Sequence, residues 1–163
     1  MKTVESAHPP FELAVQYAED AAELPSHADL QAWVQAVHAA IGGRRGEVTV
    51  RFVGEAEMAE LNGKYRGKPQ PTNVLSFDYR GDGTDAAVAA ADELLGDVLV
   101  CVPVVQREAA AMNIPPAARY AHLVVHGVLH LAGYRHDGDE VAAAMETLEA
   151  QILRQFNIED PYQ

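Results

Sequence analysis

The sequence predicts a single-domain α/β (α+β) fold, with a four-stranded mixed sheet covered by helices and a histidine motif on a helix and its following loop. Three observations predict it. Short β-branched, alternating stretches take turns along the chain with stretches of helical periodicity. The 163 residues, 48% of them apolar, suffice for one core, so residues 1–163 read as one domain without internal repeats. Residues 122–136, HLVVHGVLHLAGYRH, combine an apolar helix with recurring His and a Gly stop. No stretch approaches the ~20 apolar residues of a membrane span, and the first residues lack a signal-peptide core. The single Cys, Cys101, precludes an internal disulfide and fits a reducing, cytoplasmic setting.

Taken in order, Phe11 to Ala18 alternates large apolar with smaller or polar residues, the period of a strand. Ser26 with Asp29 resembles a capping box, and Leu30, Trp33, Val34, Val37 and Ile41 mark one helical face that Gly42-Gly43 stops. The lone Trp is thereby expected in the core. Val48–Val53 is a second strand. Glu55 to Lys64 is a short helix with Met58, Leu61 and Tyr65 inward and Glu55 and Glu57 suited to its dipole. Residues 65–72 form a basic loop rich in Gly and Pro. Asn73–Tyr79 is a third strand, and 80–93, rich in Gly, Asp and Ala, is an exposed loop. Leu95–Cys101 is a fourth strand, buried on both faces at its apolar end. Val104–Met112 is a helix closed by Asn113, and Pro115-Pro116 opens the histidine helix. Asp139 caps a last helix with Val141, Met145, Leu148 and Ile152 on one face.

The net charge of −12 argues against a nucleic-acid partner. Its distribution does not: residues 44–80 hold seven of the twelve Lys and Arg against five acids, leaving the rest strongly acidic. A basic face on an acidic body is compatible with that split.

The chemistry is concentrated in the histidine run. His126 and His130 stand four apart, and a helix of 3.6 residues per turn brings both imidazoles to one face. That is the geometry a tetrahedral metal takes from two ligands on one helix. A left-handed turn at Gly133 allows His136 to swing back as a third ligand, leaving a fourth position for water, as in catalytic rather than structural sites. His122, one turn earlier, is expected behind the ligands or in the core. Asp137, beside the third ligand as Arg135 also is, can orient an imidazole or stand in solvent. HExxH zinc proteases carry their general base directly after the first His; here that residue is Gly127, which disfavours proteolysis by that route. Arg66, next to a Gly, offers a guanidinium fork to phosphate, and Lys68 adds a second cation. Ser76 and Asp97 are weaker candidates, and Cys101 reads as packing.

Two stretches together resemble the YbeY family, metal-dependent endoribonucleases of ribosomal RNA maturation. Residues 122–136 resemble its H-G-x-L-H-L-x-G-Y-x-H motif. Tyr65-Arg66-Gly67-Lys68 with Pro71-Thr72-Asn73-Val74-Leu75-Ser76-Phe77 resembles its other signature, and Leu95-Gly96-Asp97 its L-G-D. The resemblance covers about residues 45–155. It implies one zinc-like ion (other divalent metals being possible) on His126, His130 and His136, and a substrate-binding Arg66 across a cleft from it. It further implies single-stranded RNA as substrate, in 16S rRNA 3′ end maturation and ribosome quality control. The small ribosomal subunit, one of its proteins and a ribosome-associated GTPase are the implied partners. Three departures stand out: Arg135 where the family commonly has Asp, a longer and more acidic 80–93, and Cys101 in place of a frequent Ser.

The leading expectation is therefore metal-dependent hydrolysis of RNA phosphodiesters, with His126 and Arg66 as catalytic residues and Arg66 and Lys68 holding substrate. The nucleophile is water or the RNA 2′-OH. One alternative is a ribosome-assembly factor with a mainly structural metal; another is a hydrolase of small phosphorylated molecules.

Overall fold

A computed structural model describes residues 11–21, 23–43, 45–79, 93–134 and 138–162. Among these residues four strands and five helices follow one another as β1 (Phe11–Tyr17), α1 (His27–Ala40), β2 (Arg45–Val53), α2 (Glu55–Arg66), β3 (Val74–Asp78), β4 (Glu93–Cys101), α3 (Val102–Met112), α4 (Pro116–Leu131) and α5 (Asp139–Arg154). The sheet order is β1-β2-β4-β3; β1, β2 and β4 run parallel and β3 pairs antiparallel with β4. The mixed sheet covered by helices is the predicted class. No helix among the described residues is long and apolar enough to cross a membrane.

Strand alternation divides the core. Val48, Val50 and Phe52 of β2 and Leu94, Val98 and Val100 of β4 point to one face, where α1, α4 and α5 bury Trp33, Val34, Val124, Val128, Met145 and Ile152. Val53, Leu75, Leu99 and Cys101 meet Met58 of α2 on the opposite face. Trp33 and Cys101 are core residues, as expected. Ser26 caps α1, its hydroxyl accepting from the Asp29 amide at 3.0 Å.

Four local expectations are corrected. The second helix runs on to Arg66, so Tyr65 and Arg66 belong to its last turn and not to the basic loop. Tyr65 is not inward: it is 57% exposed, resting edge-on against Phe77 of the edge strand β3. The buried position one turn after Met58 is Asn62, which donates to the Gln70 carbonyl at 2.8 Å and so ties down the following loop. The N-cap of α5 is Gly138, with Asp139 the first helical residue, and Val141 is exposed because the first turn of α5 precedes its contact with the core. The loop expected over 80–93 lies outside the described residues up to position 92, and β4 begins at Glu93.

Candidate metal centre and substrate cleft

Helix α4 is buried on nearly every side, with Tyr120, Leu123, Val124, Val125, Val128, Leu129 and Leu131 all in the core. So much apolar surface fixes the rotation of the helix about its axis, and with it the direction of the His122, His126 and His130 stripe. The His126 and His130 rings lie 4.7 Å apart between centroids at 68°, and His122 and His126 lie 6.2 Å apart. The helix stops as its sequence requires, with Gly133 at φ 105°, a left-handed conformation that costs a residue with a Cβ. His136, the third expected ligand, and its neighbours Arg135 and Asp137 lie outside the described residues.

Behind the stripe stands a residue that sequence reasoning missed. Glu149 of α5 is completely buried. One carboxylate oxygen sits 2.6 Å from His126 Nδ1; the other sits 3.2 Å from His122 Nε2 and accepts from the Tyr162 hydroxyl at 2.5 Å. Burial by itself would raise the Glu149 pKa. Hydrogen bonds from His122, His126 and Tyr162, with the charge of His126, outweigh burial and bring it from 4.5 down to about 2. Burial, and then the adjoining carboxylate, push the Tyr162 phenol well above its ordinary value, so it remains a donor. Arg119, which only donates, meets His122 Nδ1 at 3.1 Å and is itself held by Glu108 at 2.8 Å.

These contacts orient one another. With Nδ1 accepting from Arg119, His122 carries its proton on Nε2 and directs it at Glu149; both its nitrogens are engaged within the protein. With Nδ1–H of His126 on the same carboxylate, its Nε2 is the nitrogen suited to a metal. The ligand atoms of His122, His126 and Glu149 lie within 4.8 Å of one another, close enough to hold an ion. The same contacts also suit a second arrangement, in which His122 and Glu149 brace His126 from behind. The signal in the sequence was a Glu on the apolar stripe of α5, between Met145, Leu148 and Ile152.

Position 127, where HExxH enzymes carry their base, is closed to side chains. A Cβ on Gly127 would stand 2.6 Å from Val98 Cγ1 and 3.1 Å from Ser76 Oγ. Ser76 donates to the Gly127 carbonyl at 2.9 Å, clamping α4 against β3. The sequence's weak candidate Ser76 thus holds the histidine helix in place.

A cleft of about 790 Å³ is lined by His130 and Leu131 at the end of α4 and by Leu75, Ser76, Phe77 and Asp78 of the edge strand β3. Arg66 and Tyr65 border it at the end of α2, and Asp97 and Leu99 of β4 line it. Arg66 and His130, far apart in sequence, therefore share one opening. Lys68 is exposed in the following loop and is not among the lining residues. Asp97 is held by the Tyr79 hydroxyl. Sequence reasoning also missed Arg51 in this cleft, fixed to Glu57 by two bonds of 2.9 and 3.1 Å.

Imidazoles paired one turn apart, one braced by a buried carboxylate, at a cleft that carries a guanidinium, suit metal-assisted hydrolysis of a phosphorylated substrate. Comparison with known proteins carries this class to a family. The family described as Endoribonuclease YbeY matches residues 15–157. The endoribonuclease YbeY of Alcanivorax borkumensis is 44% identical over 149 residues, spanning 91% of this chain and 84% of that protein. That of Halorhodospira halophila is 46% identical over 94% and 97% of the two chains, and that of Xanthomonas oryzae pv. oryzae 47% over 93% of each. The solution structure of TM1509 from Thermotoga maritima shares the fold, with a TM-score of 0.56 at 22% identity, covering 88% of this chain and 91% of that one. The chain belongs to the endoribonuclease YbeY family.

Proposed function

We propose that this protein is a metal-dependent single-strand endoribonuclease that matures the 3′ end of 16S rRNA and serves ribosome quality control in the cytoplasm. The observation that carries the reading is the meeting of Arg66 and His130 in one cleft, with His126 one turn away on the same helix and braced from behind. A zinc-like ion is supported by His126 and His130, whose rings lie 4.7 Å apart on one helix face, and the family resemblance adds His136, outside the described residues, as the third ligand. Such an ion, when bound, supplies Lewis acidity toward a phosphate oxygen and toward water.

The remaining work belongs to the chain. Arg66 holds the phosphate bidentately and stabilises the charge that develops on it. Lys68, exposed in the loop after Arg66 and absent from the cleft lining, attracts the strand without touching the scissile group. Tyr65 offers an exposed ring at the rim, on which a base can stack. The cleft volume suits a nucleotide or two of an extended strand. Gly127 supplies no base, so the proton of the nucleophile, water or the 2′-OH, leaves by another route. The small ribosomal subunit, with one of its proteins and a ribosome-associated GTPase, offsets the repulsion between RNA and an acidic body. A structural metal in a pure assembly factor would need a fourth protein ligand, and the engagement of both His122 nitrogens weighs against that residue.

Cleavage of an end-labelled single-stranded RNA by the purified protein tests the reading, with chelator and His126→Ala in parallel. Loss of cleavage in both is expected. A 2′,3′-cyclic phosphate product would identify the 2′-OH as nucleophile, and equal cleavage by His126→Ala would overturn the proposal.

A further inference from the structure

The segment after α5 does more than end a helix. Residues 155–162 turn back across α4, with Asn157 at φ 63° and Phe156 and Ile158 packed against the core. Asp160 accepts from the Tyr162 amide at 2.8 Å, setting the direction of the last turn. Tyr162 is 42% exposed, yet its hydroxyl reaches inward to the completely buried Glu149 at 2.5 Å and to His122 Nε2 at 3.1 Å. Its ring stands edge-on to His122, 5.4 Å between centroids at 88°. The same segment walls a second cleft of about 820 Å³ whose lining includes Trp33, Arg119 and His122. The segment therefore reaches the back of the histidine stripe through the Tyr162 phenol.

We propose that Tyr162 is a positioning residue for the metal centre: it holds Glu149, Glu149 holds His126, and docking of residues 155–162 is thereby coupled to metal binding. This rests on the reading of His126 as a ligand. The physical reason is the cost of an incompletely satisfied buried carboxylate. Without the phenol, one Glu149 oxygen keeps only the longer bond to His122, and the carboxylate gains freedom to rotate away from His126 Nδ1. The ring that presents Nε2 then loses its fixed orientation. Coupling of this kind is reciprocal. A segment that strengthens metal binding is itself held more tightly when metal is bound, and whatever displaces the segment from the second cleft loosens the metal.

The test uses Co²⁺ as the probe metal and reads its affinity and its visible absorption bands in the full chain, for wild type, Tyr162→Phe, Glu149→Gln and His126→Ala. Partners behind a ligand typically contribute about 10–100-fold to metal affinity. Glu149→Gln is expected in that range. Tyr162→Phe, one bond further back and identical but for the hydroxyl, is expected to bind several-fold more weakly, with altered absorption bands. Val53→Ala, in the cluster under α2, serves as a control that lowers stability far from the site. Hydrogen exchange over residues 155–162 should slow on adding Co²⁺ in wild type and not in Tyr162→Phe. Unchanged affinity in Tyr162→Phe, with binding lost in His126→Ala, overturns the coupling and leaves the ligand reading intact. Unchanged affinity in His126→Ala overturns the ligand reading itself. Equal weakening by Val53→Ala and Tyr162→Phe would reduce the effect to general stability and also overturn the proposal.

Discussion

Replacing Gly127 by Ala tests how closely the histidine helix lies on the sheet. On an exposed helix this change stabilises by about 1 kcal/mol, because Ala loses less backbone freedom than Gly. Here the new methyl would stand 2.6 Å from Val98 Cγ1, where carbon atoms prefer about 3.5–4.0 Å. One of the two elements must yield by roughly 1 Å. Val98 is completely buried and β-branched, with few alternative rotamers, and Ser76 clamps the Gly127 carbonyl from beside it. An overpacking cost in the upper part of the usual range, about 2–3 kcal/mol, is expected. Subtracting the propensity gain leaves a net loss of about 1–2 kcal/mol. For a domain of this size that lowers Tm by about 2–8 °C. A displaced α4 also shifts His126 and His130 relative to Arg66, so cleavage should fall although no proposed ligand is replaced. The decisive measurement is a double-mutant cycle with Val98→Ala, which makes room for the new methyl. The double variant should be less destabilised than the sum of the singles, by about 2 kcal/mol. A Gly127→Ala protein as stable as wild type, additive with Val98→Ala, would refute the close-packing argument and reopen position 127 to a side chain.

Other perturbations bear on substrate binding and on the core. Arg66→Ala should reduce RNA cleavage by about 10²–10³-fold, Arg66→Lys should recover only part of it, and Lys68→Ala should cost less than either. If Arg66 contacts one phosphate, its removal should lower the salt slope of RNA binding by about 0.7, measured by titration at several ionic strengths. Tyr120 is completely buried, its hydroxyl finds no partner among the described residues, and burial first, then the charges of Glu23 and Cys101, push its pKa from 10.0 to about 12. The folded protein thus holds this proton more tightly than the unfolded chain does. The resulting stability is complete below pH 10 and is lost as pH rises from 10 towards 12. Tyr120→Phe should abolish that alkaline loss and gain about 1–3 kcal/mol by removing the unsatisfied hydroxyl. Denaturant midpoints between neutral pH and pH 11 check both; a variant less stable than wild type throughout would show that the hydroxyl has a partner.

Much of this protein was legible in one dimension because its signals are local. Alternation in Phe11–Tyr17 and Val48–Val53, the Ser26 cap, the Gly133 stop and the i, i+4 spacing of His126 and His130 depend on neighbours within a turn or two. Such neighbours determine backbone conformation directly. The family motifs were legible for the same reason: both are short, contiguous runs. Even the absence of a base at Gly127 was readable, although its cause was not.

Tertiary structure decided whatever depends on which face meets which. Tyr65, expected inward, is exposed and Asn62 is buried, because the phase of α2 over the sheet, and not its composition, chose the inward residue. Arg66 and His130 meet because the antiparallel edge strand β3 carries the end of α2 round to the end of α4. Gly127 is small because Val98 occupies the space above it. Glu149 was hidden in an apolar stripe, and only the crossing of α5 against α4 turns that charge into a support for His126, with Tyr162 delivered to it by a segment thirteen residues further on. A carboxylate can be buried so deeply only where donors from several separate elements converge on it, and that convergence is a property of the packed chain rather than of any stretch within it.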